Sequence, residues 1–347
     1  MNFSEHVAWQ SPSNIALVKY WGKKGFQIPG NPSISITLNA CHTKTKLYYK
    51  RHDAKNATVE RVLVGQKENN AFIPKIQKLI DEMGRDYPIL HEFAYEVHTE
   101  NTFPHGSGIA SSASGMSALA LCLVEVLTKE NVQIADFYRT ASYYSRIGSG
   151  SACRSVYGEM ASWGETDDLA KSSDEYATPF AHFHEVFKDF QDVILLVDKG
   201  EKSVSSTAGH ALLDTHVYKD VRYQQAFDNI KKLKDILKQG DLDAFVELVE
   251  EEALSLHALM MTSNPSFILM KPNTLAVIEK IRTFRKQSGL PISFTLDAGA
   301  NVHVLFPKHI AEECLKFIDN ELKTYCENGA YICDNMGTGP LKLELDD

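Results

Sequence analysis

The chain has 347 residues, enough for a large core and for two lobes rather than one. Its 36 basic and 45 acidic residues give a formal charge of −9, which argues against a nucleic-acid surface and requires any anion site to be built locally. The six cysteines (Cys41, Cys122, Cys153, Cys314, Cys326 and Cys333) form no Cys-x-x-Cys pair and have no zinc-like spacing with histidine. They read as free thiols in a reducing cytoplasm.

Up to about Gly65 the pattern is mostly extended. Ile34 to Leu38 alternates, Thr43 to Lys50 is rich in β-branched and aromatic residues, and Ala57 to Val64 is a further strand. Within this region Lys19 and Lys23 flank Tyr20 and Trp21. Such a pair suits either a solvated face or a clamp on a phosphorylated, carboxylated ligand.

Ala71 to Met83 is expected as a helix and Phe93 to Thr99 as a strand. The run Phe103 to Gly115, rich in glycine and serine, then leads into an apolar helix over Ser114–Thr128. Small residues let backbone close around an anion, and a helix N-terminus aims free N–H groups at it. The same composition also suits an ordinary capped turn. The run is neither a P-loop nor a dinucleotide fingerprint. Its longest apolar stretch, Met116–Leu127, is too short to span a bilayer, and no targeting or membrane segment is expected.

A helix over Ile134–Arg146 is expected to end at the loop Gly148-Ser149-Gly150-Ser151, which is followed by Arg154. Arg154 reads as a bidentate anion receptor or as a surface residue beside a capping loop. His182 and His184 form a His-x-His pair, better suited to the surface or to packing than to metal without partner ligands.

Val193–Val197 is a buried strand, followed by helix from about Ser205 to His257 with a break at Gly240-Asp241. Pro291–Leu296 and Val302–Phe306 are strands joined by Asp297-Ala298-Gly299-Ala300-Asn301. Asp297, at the end of an apolar strand, suits proton abstraction or plain turn formation. Strands and helices mix without a βαβ rhythm, which predicts an α+β class.

Five of these segments, in this order, resemble the GHMP small-molecule kinase superfamily, and within it the diphosphomevalonate decarboxylases. They are Asn14–Lys23, Pro104–Ala113, Gly148–Arg154, Val204–Thr207 and Asp297–Gly299. The superfamily pattern Pro-x-x-x-Gly-Leu-x-Ser-Ser-Ala appears with Ile109 in place of Leu, and the likeness runs from about residue 7 to about 306.

The resemblance implies a GHMP-like two-lobed fold with a mixed α/β lobe over residues 1–190, an α+β lobe over residues 191–347, and the active site in the cleft between them. It implies ATP- and Mg2+-dependent decarboxylation of mevalonate diphosphate by a cytoplasmic protein, without nucleic-acid or membrane partners and with homodimer assembly expected. By the same resemblance, Asp297 is the catalytic base, Lys19 lies at the transferring phosphoryl group, and Arg154 acts with them. Asn14, Tyr20, Lys23, Ser149, Ser151, Arg154 and Ser205 hold the substrate. Gly106, Ser107, Gly108, Ala110, Ser111 and Ser112 cradle the nucleotide phosphates, with Ser112 or Ser111 nearest the γ-phosphate and Ser112 a metal ligand.

Where the family has Pro-Thr-Ala-Ala-Gly-Leu and Asp-Ala-Gly-Pro-Asn, this chain has Pro104-His105-Gly106-Ser107-Gly108-Ile109 and Ala300 in place of Pro. Greater flexibility of the loop and turn is expected from both changes. Related alternatives are a monophosphate decarboxylase and a kinase that stops at the phosphate ester. A ligand sensor without turnover is a third. No role is apparent for the tail after about Lys308.

Overall fold

Two long strands organise the first half of the chain, because apolar side chains at alternate positions of each must be buried on one face. They are β1 (Glu5–Val18) and β4 (Ser33–Arg51), joined through a hairpin of β2 (Lys23–Gly25) and β3 (Ile28–Pro29). The computed structural model describes residue 3 and residues 5–53, 56–104, 109–200 and 206–344.

After β4 come β5 (Thr58–Val64), β6 (Lys67–Glu68), α1 (Ile73–Asp86), β7 (Phe93–Asn101), α2 (Ser111–Lys129) and α3 (Phe137–Gly148). A 3-10 turn over Gly150–Val156 leads to β8 (Met160–Trp163) and β9 (Thr178–Pro179). The second half holds β10 (Gln191–Leu195), α4 (Ser206–Leu212), α5 (Lys219–Gln239), α6 (Leu242–Thr262) and α7 (Pro272–Ser288). It ends with β11 (Ser293–Thr295), β12 (Val302–Phe306), α8 (Ala311–Phe317), β13 (Tyr331–Asn335) and β14 (Leu341–Lys342).

The larger sheet runs β14-β1-β4-β7-β5-β6, with β8 and β9 continuing from the first part of β4. It is antiparallel except for the parallel pair β5–β7. The smaller sheet, β11-β12-β10-β13, is antiparallel. Both arrangements are α+β, as expected.

Three cores follow. One packs α1, α2 and α3 on the larger sheet, and one lies between the two sheets and α5 and α6. The third packs α7 and α8 on the outer face of the smaller sheet. Among the described residues α2 is the one helix long and apolar enough to cross a membrane, and it is buried in the first core.

Several boundaries differ from the sequence reading. α3 starts at Phe137 rather than Ile134 because the Asp136 carboxylate caps it, accepting from Arg139 N–H at 3.0 Å. The segment after Gly148 tightens into a 3-10 turn instead of staying a loop. The long helical stretch breaks a second time at residues 213–218, where His216 Nδ1 accepts from the Tyr218 N–H. α7 and α8 lie outside the expected elements.

The tail is a strap between the two sheets. Asp334 on β13 accepts the backbone N–H groups of Asn39, Ala40 and Cys41 on β4 at 2.7–2.8 Å. Gly337 then donates to Thr37 O and accepts from Glu159 N–H, both at 2.7 Å. A Cβ at Gly337 would stand 2.4 Å from Leu38 O, so the close approach requires glycine.

Candidate active site

β1 ends at Val18, and Lys19, Tyr20 and Trp21 turn from its end into the space between the sheets. Asp297 arrives from the opposite side, just beyond β11. Lys19 Nζ stands 3.3 Å from Asp297 Oδ1, with side-chain exposures of 2% and 25%. Burial lowers the pKa of Lys19, and the Asp297 carboxylate works against that effect.

The turn that carries Asp297 is anchored. His257 Nε2 donates to Asp297 O at 3.0 Å, Gly299 N–H donates to the same carbonyl at 2.7 Å, and Thr274 Oγ1 donates to Ala300 O at 2.7 Å. Ala300 is buried.

These groups open on a cavity of about 310 Å³. Lys19, Lys23, Lys75, Lys78 and Arg154 line it, with Asp297 as the carboxylate among its lining residues. A pocket this cationic, in a chain of net charge −9, is built for a polyanion.

Arg154 is buried, and desolvation lowers its pKa. Its Nε and Nη2 donate to Asn14 Oδ1 at 3.3 and 3.2 Å, and Nη1 donates to Ser33 Oγ at 2.5 Å. Asn14 in turn donates to Ser155 Oγ at 2.8 Å and to Ser151 O at 3.3 Å. Arg154 is therefore a built-in part of the pocket wall rather than a loose surface residue.

Tyr20 packs edge-on against Trp163 at 4.7 Å, and its hydroxyl is buried with no partner among the described residues. An orphaned hydroxyl in a cationic pocket suits a ligand oxygen. Lys23 is half-buried, and desolvation lowers its pKa.

The third wall is the start of α2. Ala110 adopts a left-handed conformation (φ 46°) immediately before the helix, and Ser112 Oγ lies 3.2 Å from Ser149 Oγ. Ala110, Ser112, Ser149 and Ser151 all line the cavity, whereas Ser111 lines a second, apolar one. That smaller space, about 90 Å³, is bounded by Val62, Val64, Phe72, Val97 and Met116. Lys75 and Ser112 line both, so the two cavities meet at a lysine and a helix N-terminus.

Gly106, Ser107, Gly108 and Ser205 lie outside the described residues. His184 Nδ1 accepts from Val186 N–H and caps a short turn. No group of three or more metal-ligating side chains occurs among the described residues. A metal at Ser112 would therefore depend on ligand oxygens for the rest of its coordination. All six cysteines are free.

Three titratable lining residues were missed by the sequence reading. Lys75 and Lys78 lie on α1, where lysines three apart look like a solvated face. His210 is sandwiched between Tyr20 at 4.5 Å and Trp21 at 4.4 Å. Its Nδ1 accepts Gly22 N–H at 2.9 Å, and burial followed by the charge of Lys23 pushes its pKa down to about 3. The ring is a neutral imidazole with its proton on Nε2. No local pattern around His210 marks it as a pocket residue.

Two family descriptions match consecutive parts of the chain. The diphosphomevalonate decarboxylase-like N-terminal domain matches residues 11–177, and the mevalonate 5-diphosphate decarboxylase C-terminal domain matches residues 192–341. The chain is 28% identical over 326 residues to a diphosphomevalonate decarboxylase of Ganoderma lucidum, covering 89% of this chain and 80% of that one. To the Bos taurus diphosphomevalonate decarboxylase it is 28% identical over 317 residues, covering 86% and 76%.

The crystal structure of mevalonate diphosphate decarboxylase from Staphylococcus aureus superposes with a TM-score of 0.84 at 28% identity, over 98% of each chain. A structure of MDDEF in complex with MVAPP, AMPPCP and magnesium superposes with a TM-score of 0.83 at 26% identity, over 98% of this chain and 99% of that one. With both halves of the chain matched and the whole fold shared, this protein belongs to the diphosphomevalonate decarboxylase family.

Proposed function

We propose that the protein catalyses the ATP-dependent decarboxylation of mevalonate 5-diphosphate, giving isopentenyl diphosphate, ADP, phosphate and CO2. The observation that carries this reading is the Lys19–Asp297 pair set in the wall of a pocket with four further cations.

A β-hydroxy acid loses CO2 with difficulty while hydroxide is its leaving group. Phosphorylating the tertiary hydroxyl removes that obstacle. Asp297 is proposed to orient the hydroxyl and accept its proton, and Lys19 to neutralise charge on the transferring group, a reading supported by their contact in the pocket wall. When the phosphate ester breaks, the electrons of the carboxylate–carbon bond form the new double bond.

Lys23, Arg154, Tyr20 and the serines of Gly148–Ser151 are proposed to grip the substrate's anionic groups, supported by the buried donors and the orphaned Tyr20 hydroxyl. Holding the remote diphosphate fixes the reacting end, and that orientation lowers the barrier. Lys75 and Ser112, where the two cavities meet, are proposed to face the nucleotide phosphates, with the apolar cavity taking the base. Mg2+ bound with ATP would neutralise phosphate charge, and Ser112, whose hydroxyl lines the pocket, is proposed to contact it.

The family matches at residues 11–177 and 192–341 support a division into an N-terminal lobe over 1–190 and a C-terminal lobe over 191–347. Cytoplasmic location, supported by the six free thiols, and homodimer assembly belong to the same proposal. Product analysis with purified mevalonate diphosphate and MgATP tests the reaction.

A further inference from the structure

Lys19 is held by its backbone as well as by its side chain. Glu252 Oε2 on α6 accepts the Lys19 N–H at 2.8 Å. Arg222 Nη2 on α5 donates to the Lys19 carbonyl at 3.1 Å, and Asn31 Nδ2 donates to the same oxygen at 3.0 Å.

Glu252 and Arg222 also pair with each other at 2.5 and 2.8 Å, with side chains 0% and 2% exposed. Asn229 Nδ2 completes the cluster by donating to Glu252 Oε1 at 2.7 Å. Removing two charges from water costs about as much as their attraction returns, so such a pair is a weak source of stability. Its geometric effect is larger. Charge-assisted bonds on both sides of one residue fix its backbone and so aim its side chain.

We propose that the buried Glu252–Arg222 pair, assisted by Asn31, is a positioning device that sets Lys19 Nζ against Asp297 for the phosphoryl-transfer step. The proposal rests on the role given to Lys19 above. Misplacing a reacting group by about 1 Å can cost on the order of a hundredfold in rate.

The pair also acts on charge. The carboxylates of Asp297 and Glu252 favour protonated Lys19, whereas burial and Arg154 oppose it. Arg222 neutralises part of the Glu252 charge, and Asp192 on β10 also interacts electrostatically with Lys19.

The test compares the parent with Arg222→Met/Glu252→Leu, Glu252→Gln and Asn31→Ser. The measurements are thermal unfolding, kcat, both KM values, the pH profile and amide exchange at Lys19. The double variant should fold with a lowered Tm, because the Lys19 N–H and Asn229 Nδ2 lose their acceptor, lose at least about tenfold in kcat, and keep both KM values within about threefold. Its alkaline limb should move to lower pH and its Lys19 amide should exchange faster. Asn31→Ser should lose about threefold in kcat, since of the two bonds it removes only one, to the Lys19 carbonyl, holds Lys19.

A folded double variant with parental kcat and alkaline limb would overturn the proposal and leave the pair purely structural. Should the double variant not fold, the near-isosteric Glu252→Gln decides by the same measurements. A parent without turnover would sink the functional reading instead, and Lys19 amide exchange would still decide whether the pair holds that peptide.

Discussion

Lys19 and Asp297 are 278 positions apart in sequence, and Lys19 Nζ lies 3.3 Å from Asp297 Oδ1. Lys19 belongs to the end of a strand of the larger sheet and Asp297 to a turn beside the smaller one, so the contact exists only when the two sheets are correctly docked. Lys19 is buried and Asp297 partly exposed, and the proposed mechanism uses the first as a cation for developing phosphoryl charge and the second as an acceptor for a hydroxyl proton.

Asp297→Asn keeps the shape and removes the proposed base. kcat should fall by at least about a hundredfold while the KM for mevalonate diphosphate stays within a few fold. Steady-state kinetics on the purified variant checks this, and near-parental kcat would take Asp297 out of the mechanism.

Lys19→Met removes a cation that is costly to bury, so stability should hold or rise. kcat should drop by about a hundredfold or more, with nucleotide affinity changed only a few fold, because charge stabilisation matters most where charge moves. A loss confined to nucleotide binding, measured by equilibrium titration, would make Lys19 only a binding residue.

Arg154→Lys keeps the charge but cannot reach Asn14 Oδ1 and Ser33 Oγ together from one flexible ammonium. Breaking the proposed charge-assisted contact between Arg154 and the substrate costs on the order of 2–5 kcal/mol, so kcat/KM should fall roughly thirtyfold or more. Tm should fall as well, since Asn14 and Ser33 lose their partner. Parental kcat/KM would make Arg154 a purely structural part of the wall.

The cationic wall also predicts a proton linkage. Burial lowers the pKa of Lys23, and partial desolvation followed by the charge of Lys23 lowers that of Lys75, whose side chain still reaches solvent. Each therefore loses its proton below the ordinary lysine range near about 10.4. An anionic ligand favours the protonated forms and raises both pKa values. Binding should then take up protons in this window, and affinity should weaken as pH rises through it. Calorimetric titration with mevalonate diphosphate at about pH 9, in two buffers of different ionisation enthalpy, measures the uptake. No uptake would mean that neither lysine meets the ligand.

Asp334→Asn tests the strap. The carboxylate accepts four backbone N–H groups, those of Asn39, Ala40, Cys41 and Asn335. An amide offers one acceptor oxygen instead of two and no charge. Stability should fall by about 2–4 kcal/mol in urea unfolding, on the scale of hydrogen bonds to charged groups.

Much of the site was legible because its chemistry is concentrated in short motifs. Lys19, Arg154 and Asp297 each sit at the end of a strand or turn, where small and polar residues interrupt an apolar pattern. Lys75 and Lys78 were not legible, since helix-face lysines become pocket residues only through the docking of α1. His210 was hidden for the same reason, as its stacking on Tyr20 and Trp21 is tertiary. The strap was missed because Asp334 finds its partners on β4, almost 300 positions earlier, where no local pattern points to them.

The most direct test of the central claim is the stoichiometry of one reaction, with purified protein, mevalonate diphosphate and MgATP, following ADP, CO2 and isopentenyl diphosphate together. The account predicts equal amounts of all three. ADP formed without CO2 would contradict it and point to a kinase that stops at the phosphate ester.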